Sequence, residues 1–349
     1  MIKNIKKVSN TLKKLQIMKY KFSTSKKYDY IIVGGGSAGC VLANRLTENS
    51  QNTVLLLEAG HSDRGKVDSW TIHMPAALTY NISSEKYNWN YTTEPQDFLN
   101  KRQITWPRGK VLGGSSSLNA MCYVRGNALD YERWASVAPG WEYKNVLPYF
   151  KKSQTHELGE NEYRGGSGPL YVTRCNTKNP LFETFVSAGM EKGYPQTNDM
   201  NGYQQEGFGP MDCTVYKGER WSSSTAYLTN IVKLRKNLEI NCDTMVKRVL
   251  FDNNNDKTAI GVEIFKNNKE TTKIYANKEI IISGGAINSP QLLMLSGIGN
   301  SEDLDKVGIE TIHHLPEVGQ NLQDHLEVYV QYECKNPITL KDVKKIYLN

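Results

Sequence analysis

Three glycine-rich runs hold the residue types most able to do chemistry on a phosphate-bearing ligand. The first, Gly34-x-Gly36-x-x-Gly39, follows the apolar run YDYIIV and opens a helix with Val41, Leu42 and Leu46 on its packing side. In that context Gly34 permits a tight turn and Gly36 lets the backbone approach a pyrophosphate. Gly39 allows close strand-to-helix packing, and unpaired N–H groups at the helix start face the phosphates. Ser37 and Ala38, which open the helix, join the three glycines as candidate contacts. A second strand, Thr53 to Leu57, ends at Glu58-Ala59, nineteen residues after Gly39. A carboxylate there accepts hydrogen bonds from the ribose hydroxyls of an adenosine and repels a 2′-phosphate, which disfavours NADP. Strand, helix, strand and acid in that order imply a bound dinucleotide but do not separate FAD from NAD.

The second run, TWPRGKVLGGSSSLNAMCYVRG (105–126), sets the cation Arg108, the pair Gly113-Gly114 and three serines before an apolar stretch. It reads equally as a ligand-facing loop with hydroxyl donors or as a mobile turn. The third, KEIIISGGAINSPQLLMLSGIG (278–299), reads as a buried strand and a Gly-Gly-Ala turn, then a short helix N-capped by Ser289 with Pro290 at its first position and stopped by Gly297. Core packing alone explains this unit as well as a site does.

The elements that position these runs belong to a globular chain of 349 residues, 39% hydrophobic and 23% charged. The net charge of +7 does not describe the body. Residues 1–27 hold nine Lys and no acid, leaving 34 basic against 36 acidic residues, or −2, in 28–349. No phosphate-binding face for nucleic acid is therefore expected. The leader carries Ile2, Ile5, Val8, Leu12, Leu15 and Met18 at helical spacing, a cationic amphipathic pattern similar to a mitochondrial transit peptide, with Lys where Arg is usual. No run of 18 apolar residues argues for a membrane span. Six cysteines without a CxxC argue against a disulfide scaffold or zinc site and point to buried free thiols.

Taken together, Gly109-Lys110-Val111-Leu112-Gly113-Gly114-Ser115-Ser116-Ser117-Leu118-Asn119 and Gly285-Ala286-x-x-Ser289-Pro290-x-Leu292-Leu293-x-x-Ser296-Gly297-Ile298-Gly299 resemble the two signature segments of the glucose-methanol-choline (GMC) oxidoreductase family. GERWSSSTAYL (218–228) and VGQNLQDH (318–325) fit the same habits, so the resemblance covers nearly everything from Tyr28 onward. LNAMCYVRGNALDYERWA, MNGYQQEGFGPMD and SGGAINSPQLLMLSGIGN are similar to the choline-oxidising members. The resemblance implies FAD with Glu58 on the adenosine ribose. It further implies Val111 and Asn119, Ala120, Met121 and Cys122 along the pyrophosphate and flavin, and the Val246 backbone at the adenine. The implied activity is hydride transfer from choline to flavin N5, giving betaine aldehyde, with electrons passed to a respiratory acceptor such as a quinone. A mitochondrial site is expected, and peripheral association with the inner membrane stays open.

The implied fold is α/β, a Rossmann-like FAD-binding domain interleaved with an α+β substrate domain built on an antiparallel sheet. The expected division is a leader 1–27, FAD-binding 28–169, substrate 170–226, FAD-binding 227–312 and substrate 313–349. Strands are expected at LEINC, TMVKRVLF, AIGVEIF, TKIYA, EIIIS and LEVYVQYE, with a turn from Lys266 to Glu270. Proton abstraction needs a base beside the flavin, in this family a C-terminal His. None of His61, His73, His156, His313, His314 or His325 occupies a matching motif, so the catalytic His is expected beyond Asn349, in a chain truncated at its C-terminus. An exposed sheet edge and weak flavin retention would follow. A GMC enzyme for another alcohol, an inert flavin-binding remnant and an NAD-dependent dehydrogenase are the alternatives.

Overall fold

The structure is a computed structural model that describes residues 27–175, 179–252, 257–266, 270–325, 327–336 and 338. The amphipathic leader, the Asn-rich turn at 253–255 and the 267–269 turn lie outside the described residues.

A six-stranded sheet organises the molecule. Its strands are β1 (Lys27–Val33), β2 (Val54–Leu57), and, after a long excursion, β7 (Leu238–Asn241), β8 (Thr244–Phe251), β9 (Ala259–Lys266) and β10 (Glu270–Ile282). The order is β7-β2-β1-β10-β9-β8. The first three pairings are parallel and the last two antiparallel. Within the excursion lie β3 (Cys122–Tyr123), β4 (Gln154–His156), β5 (Leu170–Arg174) and β6 (Asp212–Cys213), which form a second sheet in the order β3-β6-β5-β4.

Helix α1 (Ser37–Leu46) joins β1 to β2, α2 (Pro180–Glu191) follows β5, α3 (Ser223–Tyr227) precedes β7, and α4 (Gly285–Leu295) follows β10. β2 is apolar throughout and β1 is apolar from Ile31 to Val33 because both faces are covered there. Ile32, Val54 and Leu56 pack on Cys40 and Ala43 of α1 and on Ala226 and Tyr227 of α3. Ile31, Val33, Leu55 and Leu57 point the other way, onto Val262, Ile264, Ile274 and Leu292 of α4. Each such fully buried Leu or Ile contributes about 1.5–3 kcal/mol.

Four local expectations are corrected. TKIYA and EIIIS are one strand, β10, which pairs antiparallel with β9 along its first half and parallel with β1 along its second. Helix α4 starts at Gly285 rather than after Ser289, and Pro290 lies inside it. LEVYVQYE is exposed and forms no strand over its described residues, because its β-forming side chains have no ladder to join there. Finally, the cysteines are not all buried free thiols. Cys175 and Cys213 are joined as a disulfide with Cα atoms 5.7 Å apart, and Cys122 is exposed. The strand register brings that pair together, which sequence spacing cannot show. Among the described residues no helix is long and apolar enough to cross a membrane.

Candidate functional site

The three glycine-rich runs meet at the carboxyl ends of β1 and β2, where open α/β sheets bind ligands. Gly34 sits at φ +103°, and a Cβ on it would lie 2.5 Å from the Ser283 carbonyl oxygen, which ties the first run to the third. A Cβ on Gly39 would come within 1.9 Å of the Gly34 carbonyl, so the α1 start can close onto the turn only with hydrogen there. The second run docks across the first. Gly113 N–H donates to the Gly35 carbonyl at 2.7 Å, and a Cβ on Gly114 would lie 2.7 Å from Gly36 Cα.

The α1 N-terminus is left open. Gly36 supplies no capping side chain, no acid occupies the first turn, and Ser37 and Ala38 are exposed. Beside it Glu58 is buried. Its Oε2 accepts from Gly35 N–H and its Oε1 from Gly60 N–H, both at 2.8 Å. Burial pushes this carboxyl up to about 7, even though those two N–H donors pull it down. A carboxylate with two donors and spare lone pairs at the edge of an uncapped helix start can accept further hydroxyls, while phosphate oxygens can take the free N–H groups.

The Gly/Ser loop is a braced element rather than a mobile turn. Ser116 Oγ donates to the Gly113 carbonyl and accepts from Ser223 N–H, Ser117 Oγ donates to the Leu112 carbonyl, and Ser115 Oγ accepts from Gly109 N–H. The Ser116 and Ser117 hydroxyls are thus spent within the protein, whereas the exposed Ser115 keeps its O–H to offer a ligand beside the loop backbone. Arg108 stacks 5.1 Å from the Trp106 ring and donates to the Pro107 carbonyl. Val111 is fully buried with Ile72, Tyr87 and Leu118, and its carbonyl accepts from Gly114 N–H at 2.8 Å.

Asn119, Ala120 and Cys122 form an exposed edge, whereas Met121 is buried and held at φ +64°. Asn119 Oδ1 accepts from Met121 N–H at 3.1 Å, which supports that unusual conformation. Ala59 is half-buried between Glu58 and Gly60. Val246 is half-buried in β8, whose first residue, Thr244, donates its N–H to the Glu58 carbonyl at 2.9 Å.

Sequence reasoning did not single out Arg220. Its side chain is fully buried, with Nε donating to the Ile72 carbonyl and Nη1 to the carbonyls of Asn119 and Ser116 and to Asn119 Oδ1. Burial lowers its guanidinium to about 10. A cation placed there fixes the loop that carries Asn119, and its only sequence signal was its place inside GERWSSS. The histidines lie in other settings. His61 and His73 lie against Asp243 and Asp63, and His156 Nε2 lies 3.3 Å from Asp212. His314 accepts from Ser301 N–H, and His313 and His325 are exposed.

A parallel β-α-β unit with an open helix start and an acid at the end of the second strand defines a dinucleotide-binding type of α/β protein. The family model for GMC oxidoreductase matches residues 28–327, and the chain belongs to that family. It is 56% identical over 323 residues to mitochondrial choline dehydrogenase of Mus musculus, covering 91% of this chain and 53% of that protein. It is 50% identical over 330 residues to an oxygen-dependent choline dehydrogenase of Stenotrophomonas maltophilia, covering 93% of this chain and 58% of that one. Among solved structures, an FAD-dependent oxidoreductase from Chaetomium thermophilum superposes with TM-score 0.78 at 36% identity, covering 85% of this chain and 52% of that one. The chain thus spans a little over half the length of the curated relatives it matches.

Proposed function

We propose that this chain binds FAD and serves the oxidation of choline to betaine aldehyde. The observation that carries the reading is the seating of Gly113 and Gly114 on Gly35 and Gly36 beside the open α1 start and Glu58. Relatives at 50–56% identity that are choline dehydrogenases support the substrate. When bound, FAD would supply the hydride acceptor.

The chain's own groups divide the work of holding it. Gly36, Ser37, Ala38 and Gly39 present the helix-start N–H groups to the pyrophosphate, Gly34 makes the turn that leads there while its own N–H donates to the Leu57 carbonyl, Glu58 and Ala59 hold the adenosine ribose, and the Val246 backbone meets the adenine. The backbone of Val111 and Gly113, the Arg108 cation and the edge from Asn119 to Cys122 run toward the flavin. In this reading 28–169 and 227–312 build the FAD-binding domain, and 170–226 with 313–349 belong to the substrate domain. The cationic leader supports import into mitochondria, and a respiratory quinone is the proposed acceptor.

An absorption spectrum of the purified chain, followed anaerobically on adding choline, tests the reading. A flavin band is expected, with bleaching by choline wherever the base is supplied. A chain that never takes up FAD from solution refutes the cofactor, and a flavin reduced by another alcohol but not by choline refutes the substrate.

A further inference from the structure

The second sheet collects three of the six cysteines on one face. β6 lies between β3 and β5, and its Cys213 stands directly across from Cys122 on one side and from Thr173 on the other. Cys175 follows two residues after Thr173, hence on the same face, and is bonded to Cys213. Thr214 N–H donates to the Met121 carbonyl at 2.7 Å. That makes 121–214 a hydrogen-bonded pair and Cys122–Cys213 the neighbouring non-hydrogen-bonded pair, whose Cα atoms stand about 4.5 Å apart with side chains at their closest. Such a separation lies within the disulfide range of about 4.4–6.8 Å.

We propose that Cys122, Cys213 and Cys175 form an internal thiol–disulfide exchange site, with Cys122 as the attacking thiol and Cys213 as the shared sulfur. The Cys122 thiolate bonds to Cys213 Sγ as the Cys213–Cys175 bond breaks. The electron pair leaves on Cys175, which takes up a proton in place of the one Cys122 released. One disulfide is present before and after, so the step requires no oxidant or reductant. The strand order places Cys213 between the strands that carry Cys122 and Cys175, so a thiolate from one side can attack the disulfide sulfur whose bond leads to the other.

Access selects Cys122 for this role. It is exposed, whereas Cys40 is buried and Cys242 and Cys334 are half-buried, and burial pushes the Cys40 and Cys242 thiols far up, keeping them protonated and inert. The inference rests on the strand register and on the exposure of Cys122 in the flavin-free chain, because the proposed function runs the Asn119–Cys122 edge toward the flavin. Its consequence is local: the exchange moves a covalent tie from the end of β5 to the edge Asn119–Cys122, fixing that edge to β6.

The test is a non-reducing peptide map of the full chain, equilibrated in glutathione redox buffers, acid-quenched and alkylated with N-ethylmaleimide. Two linked species are expected, Cys175–Cys213 and Cys122–Cys213, with the third thiol alkylated in each. C175S should hold only Cys122–Cys213, and C122S only Cys175–Cys213. A wild-type map that shows Cys122 alkylated at every redox ratio overturns the proposal, as does C175S with Cys122 and Cys213 both alkylated. Should C175S fold poorly, the wild-type map decides alone.

Discussion

Glu58 should make the stability of the flavin-free chain fall as pH rises. Its folded carboxyl titrates at about 7 against an ordinary 4.5, because burial outweighs the Gly60 and Gly35 N–H donors. The folded state therefore holds this proton more tightly than the unfolded state does. The group's contribution is fully present below about 4.5 and is lost as pH climbs through 7, a change of about 3 kcal/mol. Glu58→Gln titrates nothing at that position, so subtracting its stability from wild type isolates the effect. Urea unfolding of both proteins from pH 4.5 to 8.5 should show wild type losing on the order of 2–3 kcal/mol relative to E58Q across the range. If the ribose hydroxyls donate to Glu58 as proposed, they favour its charged form, so FAD affinity should rise as pH increases toward 7, up to tenfold per unit. A wild-type minus E58Q difference that stays flat from pH 4.5 to 8.5 would refute the burial argument, and pH-independent FAD binding would remove Glu58 from the ribose.

Gly39→Ala pushes a methyl to 1.9 Å from the Gly34 carbonyl. It should cost on the order of 3 kcal/mol and abolish flavin retention, read as flavin absorbance per chain; normal flavin content would sink the turn argument. Arg220→Met strips donors from the carbonyls of Ile72, Ser116 and Asn119. A loss of about 2–4 kcal/mol is expected by urea unfolding, and unchanged stability would deny Arg220 its bracing role. At the acid end, burial pushes the Asp212 carboxyl up, but His156, Arg174 and Asn201 outweigh it and hold the group below its ordinary value of 3.8. Its contribution is therefore present above about 3.8 and is lost as pH falls through the lower folded value. Asp212→Asn should cost on the order of 3 kcal/mol at pH 7 and remove that part of the acid transition, which unfolding curves from pH 2 to 7 would detect.

How much of this was legible in the chain depended on whether the deciding contact was local. The Gly34–Gly39 turn could be read because its constraint lies within six residues: hydrogen alone fits 1.9 Å from a carbonyl at Gly39. The buried strands β1 and β2 announced themselves as apolar runs covered on both faces. β10 was misread as two strands because Asn277, Lys278 and Glu279 are exposed where it changes partners from β9 to β1, so polarity resembled an interruption. The Ser289-Pro290 pair is a sound local start signal, but the turn after β10 already leads into helix at Gly285, with φ +87°, and the proline is absorbed.

Arg220 and the cysteines went unread for a different reason. The carbonyls that hold Arg220 lie 101 to 148 residues away, and the partners Cys175 and Cys213 are 38 apart. A hairpin that pairs Arg220 with Val215 carries the guanidinium to its carbonyls, the registers of β3, β6 and β5 bring the cysteines together, and short strands specify register weakly from pattern alone. The candidate site therefore divides along the same line. Its Gly34–Gly39 turn is written in consecutive residues, whereas the brace under Asn119 and the proposed sulfur chemistry beside Cys122 exist only once the long excursion between β2 and β7 has folded back. A substitution in the turn should accordingly act through sterics alone, and one at Arg220 or Cys213 through the placement of the Asn119–Cys122 edge.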